Sequence, residues 1–109
     1  MARYIIVYLG RERPEDPDQA TRHMEKYREW LASLGDAVFS ALNPIKDTHT
    51  VHNEDKTIKA EEGSSIAMSG FTIIEANSLE AVIEMSKSCP FLDIGGKLEV
   101  SELMQMGGE

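Results

Sequence analysis

The sequence predicts an α+β domain made of two strand–helix–strand units with a hairpin between them, and three observations predict it. Two segments, Tyr4 to Leu9 and Gly70 to Ala76, place apolar side chains on both alternating faces over most of their length, as strands covered from both sides do. Behind each comes a helix start signal followed by apolar residues at three- and four-residue steps. Between the units, Thr48 to His52 and Thr57 to Ala60 flank a polar turn, and both are rich in threonine and charge.

The first strand alternates Tyr4, Ile6, Tyr8 with Ile5, Val7, Leu9. Gly10 to Pro17 is charged and contains proline, which predicts a loop. Asp16-Pro17-Asp18-Gln19 then reads as N-cap, proline at the first helical position, an acid in the first turn and a capping-box glutamine. The helix this starts carries the stripe Ala20, Met24, Tyr27, Trp30, Leu31 and Leu34, and Gly35 closes it. Ala37 to Leu42 is a short strand ended by Asn43-Pro44. Asn53-Glu54-Asp55-Lys56 is the predicted turn of a peripheral hairpin. Glu61 to Met68 reads as a loop over one end of the sheet, anchored by Ile66 and Met68.

The second unit alternates Phe71, Ile73, Glu75 with Thr72, Ile74, Ala76. Asn77 is the expected N-cap, with Glu80 completing a capping box. Leu79, Val82, Ile83 and Ser86 form the expected buried stripe, and Pro90 stops the helix. Gly95-Gly96 permits the reversal into a last strand over Lys97 to Met104, and Gly107-Gly108-Glu109 is expected to fray.

This order, β-α-β, hairpin, β-α-β, is the ferredoxin-like βαββαβ plan with a hairpin insert, in one domain spanning 1–109. In that plan the two strands with two apolar faces lie in the middle of the sheet. Two helices cover only one sheet face, so the other calls for a second layer. An identical sheet from a second subunit supplies one, which predicts a homodimer.

Composition narrows the partners. Eleven Lys and Arg against nineteen Asp and Glu give a net charge of −8, which repels nucleic acid and anionic lipid. The longest early apolar run, Tyr4 to Leu9, is too short to span a membrane and lacks signal-peptide flanks. The single cysteine, Cys89, leaves no internal disulfide and fits a reducing, cytoplasmic location.

The segments YIIVYLG, the helix containing His23 and Trp30, GDAVFSALNP, GFTIIEANSLEAVIEMSKSCP and GGKLEVSELM together resemble the YCII-related domain family over nearly the whole chain. The resemblance implies a dimeric α+β barrel of ferredoxin-like subunits with a cleft near the first helix. In some members of that family a His-Asp pair is suspected of catalysis. DGPF-type members carry Asp-Gly-Pro-Phe before the third core strand; here Glu62-Gly63-Ser64-Ser65 stands in that place, so nothing attached to that segment is carried over.

His23 is the first candidate for chemistry. It precedes Tyr27 by four residues and Trp30 by seven, so the three share one edge of the helix. A histidine there suits proton transfer near neutral pH, or it simply packs on Trp30. Asp93, in the Pro90 to Gly96 loop, is the candidate carboxylate that orients His23 or binds a polar ligand, or it simply accepts amides of its own turn. Asp36, the other possible partner, lies thirteen residues beyond His23 and roughly 20 Å along the helix, so a direct contact within one subunit is not expected unless the chain doubles back. Tyr8, Tyr27, Trp30 and Ser69 are the expected substrate-binding lining, with core packing as the alternative for the aromatics. His49 and His52, three apart on a strand, face opposite ways, and no metal or cofactor motif is present. Cys89 at a helix C-terminus reads as a buried structural thiol. These residues are expected to serve either cofactor-independent acid–base chemistry on a small molecule or a non-catalytic binding module that works as a homodimer.

Overall fold

Two strands apolar on both faces take the two middle positions of a four-stranded sheet. The computed structural model describes residues 2–10, 16–64 and 68–104. In it β1 (Ala2–Leu9) pairs antiparallel with β5 (Met68–Ala76) on one side and with β6 (Lys97–Glu102) on the other. β2 (Val38–Pro44) lies outside β5, so the sheet order is β2-β5-β1-β6. The register sets Ile5 opposite Ile73, Tyr4 opposite Ile74 and Tyr8 opposite Leu98.

The alternation of β1 and β5 divides the core from the far side of the sheet. Tyr4, Ile6 and Tyr8, with Thr72, Ile74 and Ala76, are buried beneath both helices. Tyr27, Trp30 and Leu31 of α1 (Pro17–Leu34), Val82 of α2 (Leu79–Ser86) and Cys89 complete that core. On the far face Ile5, Val7, Leu9, Phe71 and Ile73 are only half-buried, and Phe39 is 51% exposed. Arg3 lies 3.9 Å over the Phe39 ring and 3.5 Å from Glu75, closing one edge of this apolar strip with charge.

α1 starts as its residues dictate. Asp16 accepts a hydrogen bond from the Asp18 amide at 2.9 Å, and Pro17 opens the helix. Gly35, at φ 58°, ends it and leads into a 3₁₀ turn over Gly35–Ala37 before β2. Met24, expected in the buried stripe, is 39% exposed because it lies at the margin of the helix face.

α2 departs from the expected start by one residue. Its N-cap is Ser78, whose hydroxyl accepts from the Ala81 amide at 3.2 Å, while Asn77 is exposed. A serine oxygen three residues before an amide is a full N-cap, so Glu80 serves the first-turn dipole rather than a box with Asn77. The buried side also differs. Val82 and Ser86 are buried with Met85 and Ala81 partly so, whereas Ile83 is 40% exposed.

The hairpin comprises β3 (His49–Glu54) and β4 (Thr57–Glu62), each longer than the pattern suggests. Its turn is the two residues Asp55 and Lys56, both at positive φ, rather than four. It forms a sheet of its own, separate from the four-stranded one. One side alternates Thr50, His52, Glu54 with Thr57, Lys59, Glu61 and holds Lys59 3.1 Å from Glu54 and His52 3.5 Å from Glu61. The other side carries Val51, Ala60 and Ile58, and Val51 and Ile58 are each 67% exposed. Of the loop expected over 61–68, residues 65–67, including Ile66, lie outside the described residues, as does the C-terminal Gly107-Gly108-Glu109. Met68 already belongs to β5.

Candidate functional site

β1, β5 and α1 converge where the helix-facing side of the sheet meets the start of β2. One residue on each of several elements reaches that point. Tyr8 is the last helix-facing position of β1, Tyr27 and His23 lie one turn apart on α1, and Phe91 comes from the 3₁₀ turn Pro90–Ile94 that follows α2. The rings meet edge to face, with Tyr8 centred 5.5 Å from Tyr27 and 5.4 Å from Phe91. His23 sits 6.3 Å from Tyr27, ring centre to ring centre, as an i, i+4 pair allows.

These side chains, with Met24 and Leu42, wall a cavity of about 150 Å³, and the backbone around Ser69 and Gly70 closes it below. Gly70 is required there, because a Cβ would come within 2.8 Å of the Asn43 carbonyl oxygen. Gly96 serves the opposite wall. A Cβ on it would strike the Phe91 ring, so only glycine lets that ring lie flat across the turn and face Tyr8.

Beneath the rings runs a line of hydroxyl groups. Tyr8 and Thr72 are hydrogen-bonded hydroxyl to hydroxyl, and Thr72 donates to the Ala41 carbonyl at 2.6 Å. A hydroxyl has one proton, so with the Thr72 proton on Ala41 the Tyr8 proton must go to Thr72. Tyr27 ends differently. Its hydroxyl oxygen is covered by protein and lies close to the Tyr8 and Thr72 hydroxyls, short of full hydrogen-bond geometry to either. Burial pushes the Tyr8 phenol up to about 12 and raises the Tyr27 phenol further, so both are protonated donors at neutral pH.

The six residues named as candidates from the sequence separate into two groups. Tyr8, His23, Tyr27 and Ser69 are together in the cavity lining. The Ser69 hydroxyl donates to the Gly10 carbonyl and so ties β5 to the end of β1. Trp30 is not in the lining; it is buried one turn further along and its indole donates to the Met85 carbonyl at 3.0 Å, locking α1 to α2. Asp93 is exposed on its 3₁₀ turn and outside the lining. Asp36 lies in a different surface hollow, with Glu75, Asn77 and Met85. His23 has its ring contact with Tyr27 but, among the described residues, no hydrogen bond or ion pair. Three members of the site have little sequence signal. Thr72 was legible only as a lone hydroxyl in an apolar alternation, and Phe91 and Leu42 as apolar residues next to proline or a turn.

Cys89 is buried, and burial lifts its thiol to about 11, which keeps it protonated and unreactive. Among the described residues no group of three His, Cys, Asp or Glu side chains could hold a metal ion. No helix among them is long and apolar enough to cross a membrane. No protein-family model matches the chain, and no curated protein matches it.

Proposed function

We propose that the protein is a small-molecule-binding module that works as a homodimer, a ferredoxin-like subunit of the dimeric α+β barrel type with its site beneath α1. The observation that carries the binding reading is the cavity itself: a hollow walled by the rings of Tyr8, Tyr27 and Phe91, with His23 in its lining. A largely apolar pocket with few polar groups is the usual form of a ligand site.

The order β2-β5-β1-β6 with both helices on one face supports the ferredoxin-like assignment, since two βαβ halves wound this way put the first and third core strands side by side. The half-buried row Ile5, Val7, Leu9 and Ile73 supports the dimer, because a second copy of the same sheet would cover it. The resemblance to YCII-related domains points the same way, and a reducing cytoplasmic setting suits the free buried thiol.

Acid–base catalysis with His23 as proton carrier is the second reading, favoured by its place in the lining. Among the described residues no carboxylate joins His23 in the lining, Asp93 being outside it, and the binding reading needs none. Both halves of the proposal are testable with amide NMR and sedimentation. A fragment screen is expected to move resonances of Tyr8, Met24, Tyr27 and Phe91, and the sedimenting mass is expected at twice the 12.1 kDa of the chain. A monomer removes the dimer, and a screen in which no fragment touches those four residues removes the site. If a reaction is found, His23→Gln with undiminished turnover removes His23 from it.

A further inference from the structure

We propose that the β3–β4 hairpin is an arm of the homodimer, whose apolar side, Val51, Ile58 and Ala60, lies against the second copy of the chain. The proposal rests on the homodimer reading above and adds a contact to it. At the root of the hairpin the Ile45 amide donates to the Ser69 carbonyl at 2.9 Å and the Gly63 amide to the Thr48 carbonyl at 2.8 Å. The hairpin therefore leaves the body where β2 and β5 run together, at the Pro44–Gly70 end of their pairing. Beyond the root the two strands form a sheet of their own, and every residue except His52 is exposed. A two-stranded hairpin by itself is marginally stable in water, and here Val51 and Ile58 are each 67% exposed.

Charge and area select a second copy as the cover. Val51 pairs with Ala60 and Asn53 with Ile58, four side chains without charge, while Glu54, Lys59 and Glu61 all lie on the other side with His52. Glu62, at the root, is the one carboxylate that shares the apolar side. Two copies at net −8 repel wherever their charged surfaces meet, so an uncharged strip is where they can come together. The far face of the four-stranded sheet is small for the task. With eight residues in β1, about 3.3 Å per residue and about 4.8 Å between strands, four strands present roughly 500 Å². A stable interface takes about 800 Å² from each partner. The six-residue strands of the hairpin add roughly 200 Å² by the same spacings. Position agrees with this. Arg3 and Glu75 close one end of the apolar strip on the sheet, and the hairpin springs from the opposite end of the β1–β5 ladder, beyond Leu9 and Met68.

Dimers mixed from isotope-labelled and unlabelled full chain test the arm. Isotope-filtered NOEs are expected from the Val51 and Ile58 methyls of one chain to protons of the other, a readout that needs no substitution. Val51→Thr combined with Ile58→Thr keeps β-branched residues in both strands, so the hairpin is retained while its apolar side is made polar. Sedimentation equilibrium is expected to show the dimer of this double variant weakened at least about tenfold, because each substitution counts twice in a two-fold assembly. Hydrogen exchange of the β3 and β4 amides is expected to slow as protein concentration rises through the dimerisation range. A dimer in which the Val51 and Ile58 methyls show NOEs only to their own chain overturns the arm and leaves the sheet-to-sheet dimer standing. A dimer affinity unchanged by the double substitution, or hairpin exchange that is independent of concentration, does the same. A chain that stays monomeric at every concentration overturns the dimer itself, and the arm with it.

Discussion

Cys89, Tyr8 and Tyr27 are among the buried groups that lose protons only reluctantly, and this bears on how the protein answers to alkali. The Cys89 thiol is raised by burial from 9.0 to about 11 and the Tyr8 phenol from 10.0 to about 12; the Tyr27 phenol moves in the same direction. In the unfolded chain each of these groups deprotonates first, while the folded protein holds its proton. Their contribution to stability is therefore complete below about pH 9 and is lost as pH rises through 11 and 12, at up to about 1.4 kcal/mol per pH unit for each group. Urea unfolding from pH 8 to 11 is expected to show a falling midpoint from pH 9 upward, and Cys89→Ala should shallow the first part of that fall. A midpoint flat to pH 11 would mean that these groups are not buried as described. At this scale spacing was a good guide to His23 and Tyr27, because an i, i+4 pair must share a helix edge. It served Asp93 poorly. Whether a turn carboxylate faces inward depends on how Phe91 and Gly96 pack, which no local pattern encodes.

Among the elements, α2 gives the sharpest check on how a start signal is read. Asn77 and Ser78 are both good N-cap residues, and the choice falls on Ser78 because its oxygen reaches the Ala81 amide. Ser78→Ala is expected to cost about 1 kcal/mol, within the ordinary range for a lost cap, whereas Asn77→Ala should be close to neutral. Chemical denaturation of the two variants decides between them, and the reverse order would return the cap to Asn77. Element type and sequence were legible throughout, since periods of two and of 3.6 residues are properties of neighbouring residues. Boundaries were less so. The hairpin closes on Asp55-Lys56 because both residues accept positive φ, which shortens the turn and lengthens both strands relative to their composition.

At the scale of the molecule the structure is a four-stranded sheet with helices on one side and a separate two-stranded hairpin, 47 × 44 × 18 Å, and its radius of gyration is 16.1 Å. A compact chain of this length has about 13 Å, and the excess reflects the thin layer and the hairpin, whose residues are exposed apart from His52. The far face of the sheet presents Ile5, Val7, Leu9 and Ile73 half-covered, and the hairpin adds Val51 and Ile58. If a second copy covers that face, Ile73→Glu sets like charges against an apolar layer and should shift the protein to a monomer in sedimentation, with far-UV circular dichroism unchanged. An unaltered sedimenting mass would place any self-association elsewhere.

Residue order alone dictated which segments are strands and helices, where β1, α1 and β5 stop, and that two strands carry apolar side chains on both faces. Those properties arise from side-chain period, caps and glycine or proline placed within a few residues of one another. The choice of which apolar face received the helices belongs to the tertiary structure. So does the convergence of Tyr8, Thr72 and Ala41, separated by 64 and 31 residues, with the buried Tyr27 hydroxyl beside them. Hydroxyl partners are selected by proximity after the layers pack, and proximity across such separations leaves no periodic trace along the chain.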